Sequence, residues 1–373
     1  MTKKFVKILQ IGMSDNLGGI ETYIIQQFRN LDKDKIIYDF VCVSSSESIY
    51  FQDEIKKQSN IYKICSRRKN PLLHYWQWIK LLFKKKGEYS AIVLNADSLY
   101  YIYPLFIGMI FSIPIRIIHS HSSGFKIKYS FFRKILTFFN KMIMQLSVTD
   151  YWACSEKAGE WMFGKNRKFT IIHNAIDSKI YKFNIVKREN IRYKLKLENK
   201  FVIGHVGRFA YAKNHKFLIN IFYELQKLEP NAILLLIGDS GNDDSFLIEA
   251  KKQVSKLKIE NKVKFLGLCE DVPDLMQAMD CFLFPSQFEG LGIVAIEAQT
   301  AGLRCYLSDI IPEEVKITDL VNFISLNESP KTWADKILEN RNYKRKDMTE
   351  KIKASGYDIK TEIKKVEQFY LNN

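Results

Sequence analysis

The stretch "CFLFPSQFEGLGIVAIEAQTAGLR", Cys281 to Arg304, contains a short apolar run, a loop rich in glycine and a helical pattern in direct succession. Cys281–Phe284 has the length and composition of a buried strand. The helix is expected to begin near Gly292, which leaves Glu289 in the preceding loop and Glu297 one to two turns inside. Two carboxylates in such apolar company ask for partners. At the helical rise, eight residues cover ~12 Å, about the length of a diphosphate with a sugar at each end. Gly290, Leu291 and Gly292 lie where backbone amides approach an anion closely at a positive helix terminus.

The same strand-then-helix alternation recurs along the chain. Strands are expected at Phe5–Ile11, Ile37–Val43, Ala91–Leu94, Ile115–His119, Tyr151–Ala153 and Thr170–Ile172. The second half repeats the pattern at Phe201–Val206, Ala232–Ile237, Lys262–Leu266, Cys281–Phe284 and Asn322–Ile324. Longer periodic segments separate them, so the fold class is α/β, with two doubly wound parallel sheets facing across a cleft. The chain of 373 residues is comfortable for two domains. The expected division is 1–183, 184–355 and a terminal helix 356–373, with the polar stretch 184–200 holding a link and a short helix. A hinge is expected near "IIHNAID".

Ligands in such sheets gather at the carboxyl ends of strands. After Phe201–Val206 comes "GRFAYAKNHKFL", where Arg208 and Lys213 are placed to reach one diphosphate, Arg with a planar fork and Lys as a mobile point charge. Together with the glutamates, the pattern assigns sugar hydroxyls to Glu289, the diphosphate to backbone amides with Arg208 and Lys213, and ribose hydroxyls to Glu297. After the first strand, "GMSDNLGGIETY" places Gly12, Gly18 and Gly19 before a helix starting near Ile20, whose free amides suit an anion or sugar. That loop is not G-x-G-x-x-G, so it lacks a dinucleotide fingerprint.

Composition is that of a folded protein, 47% hydrophobic and 26% charged. The six cysteines are scattered and form no metal or redox motif, and no signal-peptide pattern precedes the first strand, so a reduced cytoplasmic protein is expected. Ser98–Ile115 is uncharged, but Pro104 and Pro114 interrupt it, and it reads as a buried helix followed by a strand. The net charge of +16 is unevenly spread: residues 1–183 hold 28 basic and 14 acidic residues, the remainder 29 and 27. The excess sits in 66–90 and 125–146. Both segments read as amphipathic helices, one with the stripe Leu72, Tyr75, Trp76, Ile79, Leu82 and Phe83, the other with Phe131, Ile135, Phe138, Phe139, Met142 and Leu146. Facing its own core is the plain role for such a stripe. Two such helices, with Trp76, Trp78 and many Phe beside Lys, instead suggest an anionic membrane surface. Nucleic acid is not expected, since no recognition module accompanies the charge.

Taken together, "GGIETY", "RIIHSHSSG", "ACSE", "IIHNAID", "GHVGRFAYAKNH", "LLLIGDS", "VKFLG", "FPSQFEGLGIVAIEAQTAGL" and "SDIIPEEVKI" resemble the retaining GT-B glycosyltransferases of family 4, the E-x7-E group, along the whole chain. The similarity is greatest to bacterial enzymes of capsular and exopolysaccharide assembly. It implies two Rossmann-like domains, an N-terminal one taking the acceptor and a C-terminal one taking the nucleotide sugar. It further implies a UDP-sugar donor, a lipid-linked or oligosaccharide acceptor, and a place on the inner face of the cell membrane. Arg208 and Lys213 match the pair that neutralises the leaving diphosphate, Glu289 the donor-sugar carboxylate, Glu297 the ribose carboxylate, and Gly19 the loop over the donor phosphate. A donor-contacting histidine is implied as well. "HSH" offers His119 and His121, with His121 favoured as the later one and a core place likewise expected for one of the two. No metal and no cofactor are implied, and Asp243 and Asp244 read as a helix start. The resemblance departs at Arg304, where proline is common. A sugar-nucleotide epimerase of similar fold and a non-enzymatic basic membrane-binding protein are the competing readings.

Overall fold

The computed structural model describes residues 5–43, 46–122, 124, 131–241 and 243–373, with side chains left out at 131–134. Two compact units emerge, Met1–Ile176 with Asp358–Asn373, and Asp177–Tyr357.

The first unit is built on seven parallel strands: β1 (Val6–Ile11), β2 (Ile36–Cys42), β3 (Ile61–Lys63), β4 (Ala91–Ala96), β5 (Ile115–Ser120), β6 (Asp150–Ala153) and β7 (Thr170–Ile171), in the order β3-β2-β1-β4-β5-β6-β7. Alternate side chains divide between two cores, as a pleated strand requires. Leu9, Ile11, Ile92, Leu94 and Ile118 face one side, together with Trp78, Leu82, Leu105, Ile107 and Met144 from the covering helices. Ile8, Val93, Ile115 and Ile117 face the other, with Tyr23, Ile24 and Phe28 from helix Gly19–Asn30. The C-terminal helix Ile359–Asn372 joins that second core through Ile363, Val366 and Tyr370. Its entry is held by a parallel bridge between Ile176 and Asp358.

The second unit carries six parallel strands: β8 (Phe201–Val206), β9 (Ala232–Ile237), β10 (Val263–Gly267), β11 (Cys281–Phe284), β12 (Arg304–Ser308) and β13 (Val321–Ile324), ordered β10-β9-β8-β11-β12-β13. The stretch 184–200 is a packed part of this unit. Its helix Ile185–Leu195 lays Arg188 and Arg192 against the end of helix Val272–Ala278, with Arg188 Nη1 donating to Met279 O at 2.7 Å and Arg192 Nη1 to Ala278 O at 2.8 Å. Both cations thereby satisfy carbonyls that the helix end leaves unpaired.

Both sheets reverse their winding once, between β1 and β4 in the first unit and between β8 and β11 in the second. At such a reversal the loops of neighbouring strands diverge and leave room for a ligand.

Two strands escape the sequence reading. β3 is a three-residue edge, and β12 starts directly after the turn at Gly302, with Arg304 lying over the Tyr343 ring at 4.7 Å. Ser98–Ile115 forms helix Tyr103–Ile110 ahead of β5, with Leu105 and Ile107 buried. Among the described residues no helix is long and apolar enough to cross a membrane.

The amphipathic helices need a correction. In helix Pro71–Lys84 it is His74, Trp78 and Leu82 that face the core, while Leu72, Trp76, Ile79 and Phe83 are exposed. Trp78 therefore cannot touch a surface, and Leu82 leaves the proposed stripe. In helix Phe131–Ser147, Asn140, Met144 and Ser147 are buried, and Ile135, Phe138, Phe139, Met142 and Leu146 are exposed. The part of the basic segment at 125–130 lies outside the described residues, as does the Phe131 side chain.

Candidate active site

In the second unit the winding reversal brings the loops after β8 and β11 together. Gln287 N donates to Ala212 O at 2.7 Å, and Asn214 Nδ2 donates to Pro285 O at 3.1 Å. These bonds hold Lys213 against Glu289. The Lys213 Nζ to Glu289 Oε1 distance is 2.7 Å, and both side chains are largely shielded from solvent. The ammonium also sits 4.6 Å from the Phe284 ring centroid. Arg208, earlier in the same loop, is exposed. Two imidazoles lie beside the pair without adding charge: burial drives His205 well down and holds His215 at about 3, helped by the nearby Lys213.

Gly292 adopts φ +86 at the start of helix Ile293–Thr300, a conformation that favours glycine and turns the loop into the helix. Gly290 and Leu291 complete that turn, and Leu291 is buried. Glu297 lies one turn into the helix and is buried too. Burial pushes its carboxyl up to about 7, and the Tyr181 hydroxyl, which donates to it, partly offsets the rise. Tyr181, from the short helix Ser178–Tyr181, has no counterpart in the sequence reading. A lone tyrosine in a polar stretch carries no periodicity that would single it out.

In the first unit the corresponding reversal places Gly12 beside Asn95. Gly12 has φ +127, and a Cβ there would lie 2.4 Å from Asn95 O, so both the conformation and the close approach require glycine. Gly18 precedes helix Gly19–Asn30 as its N-cap. The loop leading to it is tied down by Glu21, whose Oε1 accepts from Ser14 N at 2.9 Å and Ser14 Oγ at 2.8 Å. A Cβ at Gly19 would meet nothing within 4 Å, so the fold itself does not require glycine there.

The two histidines separate clearly. His119 is 0% exposed and stands edge-on to Tyr23 at 4.9 Å and to Trp152 at 6.0 Å. It is a core residue, and its expected role as a ligand contact is not carried forward. His121 follows the end of β5 and is part-exposed, with Nε2 3.1 Å from Asn95 Oδ1. Burial holds its imidazole down at about 3. Asn95 was not anticipated, although a polar residue closing the apolar run "AIVLNA" at a strand's carboxyl end was the available signal.

Asp243 and Asp244 lie at the start of helix Ser245–Lys256, where Asp243 Oδ1 accepts from Ser245 N at 2.9 Å. Among the described residues no group of three His, Cys, Asp or Glu side chains is placed to hold a metal ion.

The chain that carries this arrangement is similar to known proteins. Residues 187–355 match the family model described as "Glycosyl transferases group 1". The chain is 27% identical over 366 residues to "Putative glycosyltransferase EpsF" of Bacillus subtilis (strain 168), covering 96% of this chain and 94% of the relative. It is 22% identical over 397 residues to "UDP-Gal:alpha-D-GlcNAc-diphosphoundecaprenol alpha-1,3-galactosyltransferase" of Escherichia coli, covering 100% and 98%. In structure it is similar to Anabaena Alr3699/HepE, crystallised in complex with UDP, with a TM-score of 0.79, 20% identity and coverage of 99% and 100%. The fold is GT-B, two parallel-sheet Rossmann-like domains. The match to the glycosyltransferase group 1 model falls within the second unit, Asp177–Tyr357.

Proposed function

We propose that the chain transfers a sugar from a nucleoside-diphosphate sugar, of the UDP class, to a lipid-linked saccharide with retention at the anomeric carbon, in capsular, exopolysaccharide or related cell-surface glycan assembly. The observation that carries this reading is the 2.7 Å Lys213–Glu289 pair at the β8/β11 reversal. It prepays the ordering of two long side chains before any ligand arrives.

In this reading Arg208, Lys213 and the amides at Gly290, Leu291 and Gly292 take the diphosphate. Glu289 takes the donor sugar, and Glu297 the ribose. The leaving diphosphate carries charge that develops in the transition state, so fixed cations there lower the barrier directly. The departing phosphate oxygen accepts the acceptor hydroxyl's proton on the same face, which needs neither a protein nucleophile nor a metal. In the first unit we assign the donor phosphate to Gly18 and Gly19 and the donor sugar to His121. The open space at Gly19 supports that assignment, because a glycine the fold does not need is free to serve a ligand. The first unit is assigned the acceptor, and the units 1–183, 184–355 and 356–373 retain their expected roles on that basis.

The diphosphoundecaprenol acceptor named for the Escherichia coli relative supports a lipid-linked substrate. We place the protein accordingly at the cytoplasmic face of the membrane, bound peripherally through 66–90 and 125–146. A thermal-shift panel of sugar nucleotides tests the donor reading, since a ligand at a hundred times its Kd adds ~2.7 kcal/mol of stability. UDP-sugars should raise Tm in the wild type and fail to do so in Lys213→Ala. A panel with no stabilising sugar nucleotide would overturn the reading.

A further inference from the structure

Helices Pro71–Lys84, Tyr103–Ile110 and Phe131–Ser147 pack side by side over one core, which takes Trp78, Leu82, Leu105, Ile107 and Met144 from them. Ring contacts tie the layer together: Tyr75 to Tyr103 at 4.6 Å, and Phe83 to Phe111 at 6.1 Å. Asn140 Nδ2 adds a bond to Leu99 O at 2.6 Å. These helices form about a tenth of the chain, yet they carry half of the large hydrophobic side chains exposed among the described residues. Leu72 is 83% exposed, Trp76 53%, Phe138 62% and Leu146 72%. Ile110, from the middle helix, is exposed as well.

The charge on this layer has a single sign. The three helix sequences contain no Asp or Glu, and Lys80, Lys84, Arg133, Lys134 and Lys141 are their only charged residues. Lys80 and Trp76 form a unit, with Nζ 4.6 Å from the indole centroid. A second copy of this chain meeting the layer face to face would set cations against cations with no carboxylate between them. Lipid phosphates over an acyl region complement both the charge and the apolar rows.

From these observations we infer that the outward faces of the three helices form one membrane-inserting surface, held chiefly by apolar side chains in the boundary between headgroups and acyl chains. The lysines lie at phosphate level and set the depth. This inference deepens the membrane reading above and stands apart from the transferase reading, because its test needs no activity. It also changes the expected mode of binding. Electrostatic adsorption fades as salt shortens the screening length, whereas buried apolar area is insensitive to it.

The test is flotation of the full chain with vesicles of phosphatidylcholine and phosphatidylglycerol, and of phosphatidylcholine alone. Between about 0.1 M and about 1 M NaCl the screening length falls from ~10 Å to ~3 Å. Binding to the mixed vesicles should weaken by no more than about threefold, and the neutral vesicles should still float the protein. The triple variant Trp76→Ser/Phe138→Ser/Leu146→Ser should lose more than about tenfold in vesicle binding with its Tm nearly unchanged, since these side chains are already exposed. Ile248→Ser, an exposed apolar change in the second unit, should bind like the wild type. Brominated lipid should quench Trp76 emission, and Trp76→Phe should abolish that component. Binding that vanishes at high salt would overturn insertion in favour of adsorption. A chain that ignores vesicles but self-associates until the triple variant is made would assign the face to a second copy and overturn the inference as well.

Discussion

His121 and Asn95 form a hydrogen bond whose direction is determined by a third group. Asn95 Nδ2 donates to Ile11 O at 3.0 Å, and a carbonyl can only accept. The amide is thereby oriented with Oδ1 towards His121 Nε2, 3.1 Å away, so that ring nitrogen carries the proton. Burial, which lowers its pKa to about 3, keeps the ring neutral, so Nδ1 carries the lone pair.

That relationship predicts the effect of Asn95→Asp. A carboxylate on the same proton favours the imidazolium and raises the His121 pKa from its depressed value of about 3. Histidine NMR titration should show no His121 midpoint between pH 5 and 8 in the wild type, and one in the variant. If His121 acts on the donor as proposed, sugar transfer should also gain an acid limb in its pH profile. Identical titrations would remove Asn95 from the positioning role.

Lys213→Ala and Glu289→Gln should fail differently. The first removes a cation from the developing diphosphate charge, and losses of ~10²–10³ in rate are usual for a fixed electrostatic partner. UDP binding should weaken with it. Glu289→Gln should keep UDP binding and lose transfer, because its partner in the proposal is the sugar. Equal activity of both variants and the wild type would dismantle the site.

Glu297 carries a pH signature. Its folded-state value is raised from 4.5 to about 7, so the folded chain holds a proton that the unfolded chain has released between those limits. The penalty is absent below pH 4.5, grows as pH rises and is complete above pH 7. Glu297→Gln should therefore stabilise the protein at pH 8 by about 3 kcal/mol and do little at pH 4.5, as measured by urea unfolding. A gap of the same size at both pH values would exclude this origin.

Gly12 and Gly19 should respond oppositely to alanine. At Gly12 the added Cβ meets Asn95 O at 2.4 Å in a left-handed backbone, so unfolding free energy should fall by more than ~2 kcal/mol. Gly19→Ala should leave stability within ~0.5 kcal/mol. In the proposed role it should still weaken donor binding, because the methyl group occupies space the ligand uses.

The faces of helices Pro71–Lys84 and Phe131–Ser147, which the sequence misjudged, differ in kind from the features it could determine. The alternation of strand and helix, the boundaries of β8, β9 and β11, and the glycine turn before Ile293 were legible because each rests on local periodicity or on one backbone requirement. The pairing of Lys213 with Glu289 was foreshadowed by strand-end position, but the contact exists only because β8 and β11 are sheet neighbours. Tyr181 was invisible, and at Asn95 only the polar strand end was legible, since their partners come from distant segments.

Helix Pro71–Lys84 marks the limit most clearly. "PLLHYWQWIKLLFK" is apolar on more than one face, so helical spacing alone identifies candidate stripes without saying which one the sheet covers. Packing chose Trp78 and His74 for the core and left Trp76 outside. By itself the sequence determined most of the elements, all but β3 and β12 among the strands, their order and the residue types at the strand ends. The tertiary structure decided which faces are buried and which side chains meet, because those depend on neighbours that only the folded sheet brings together.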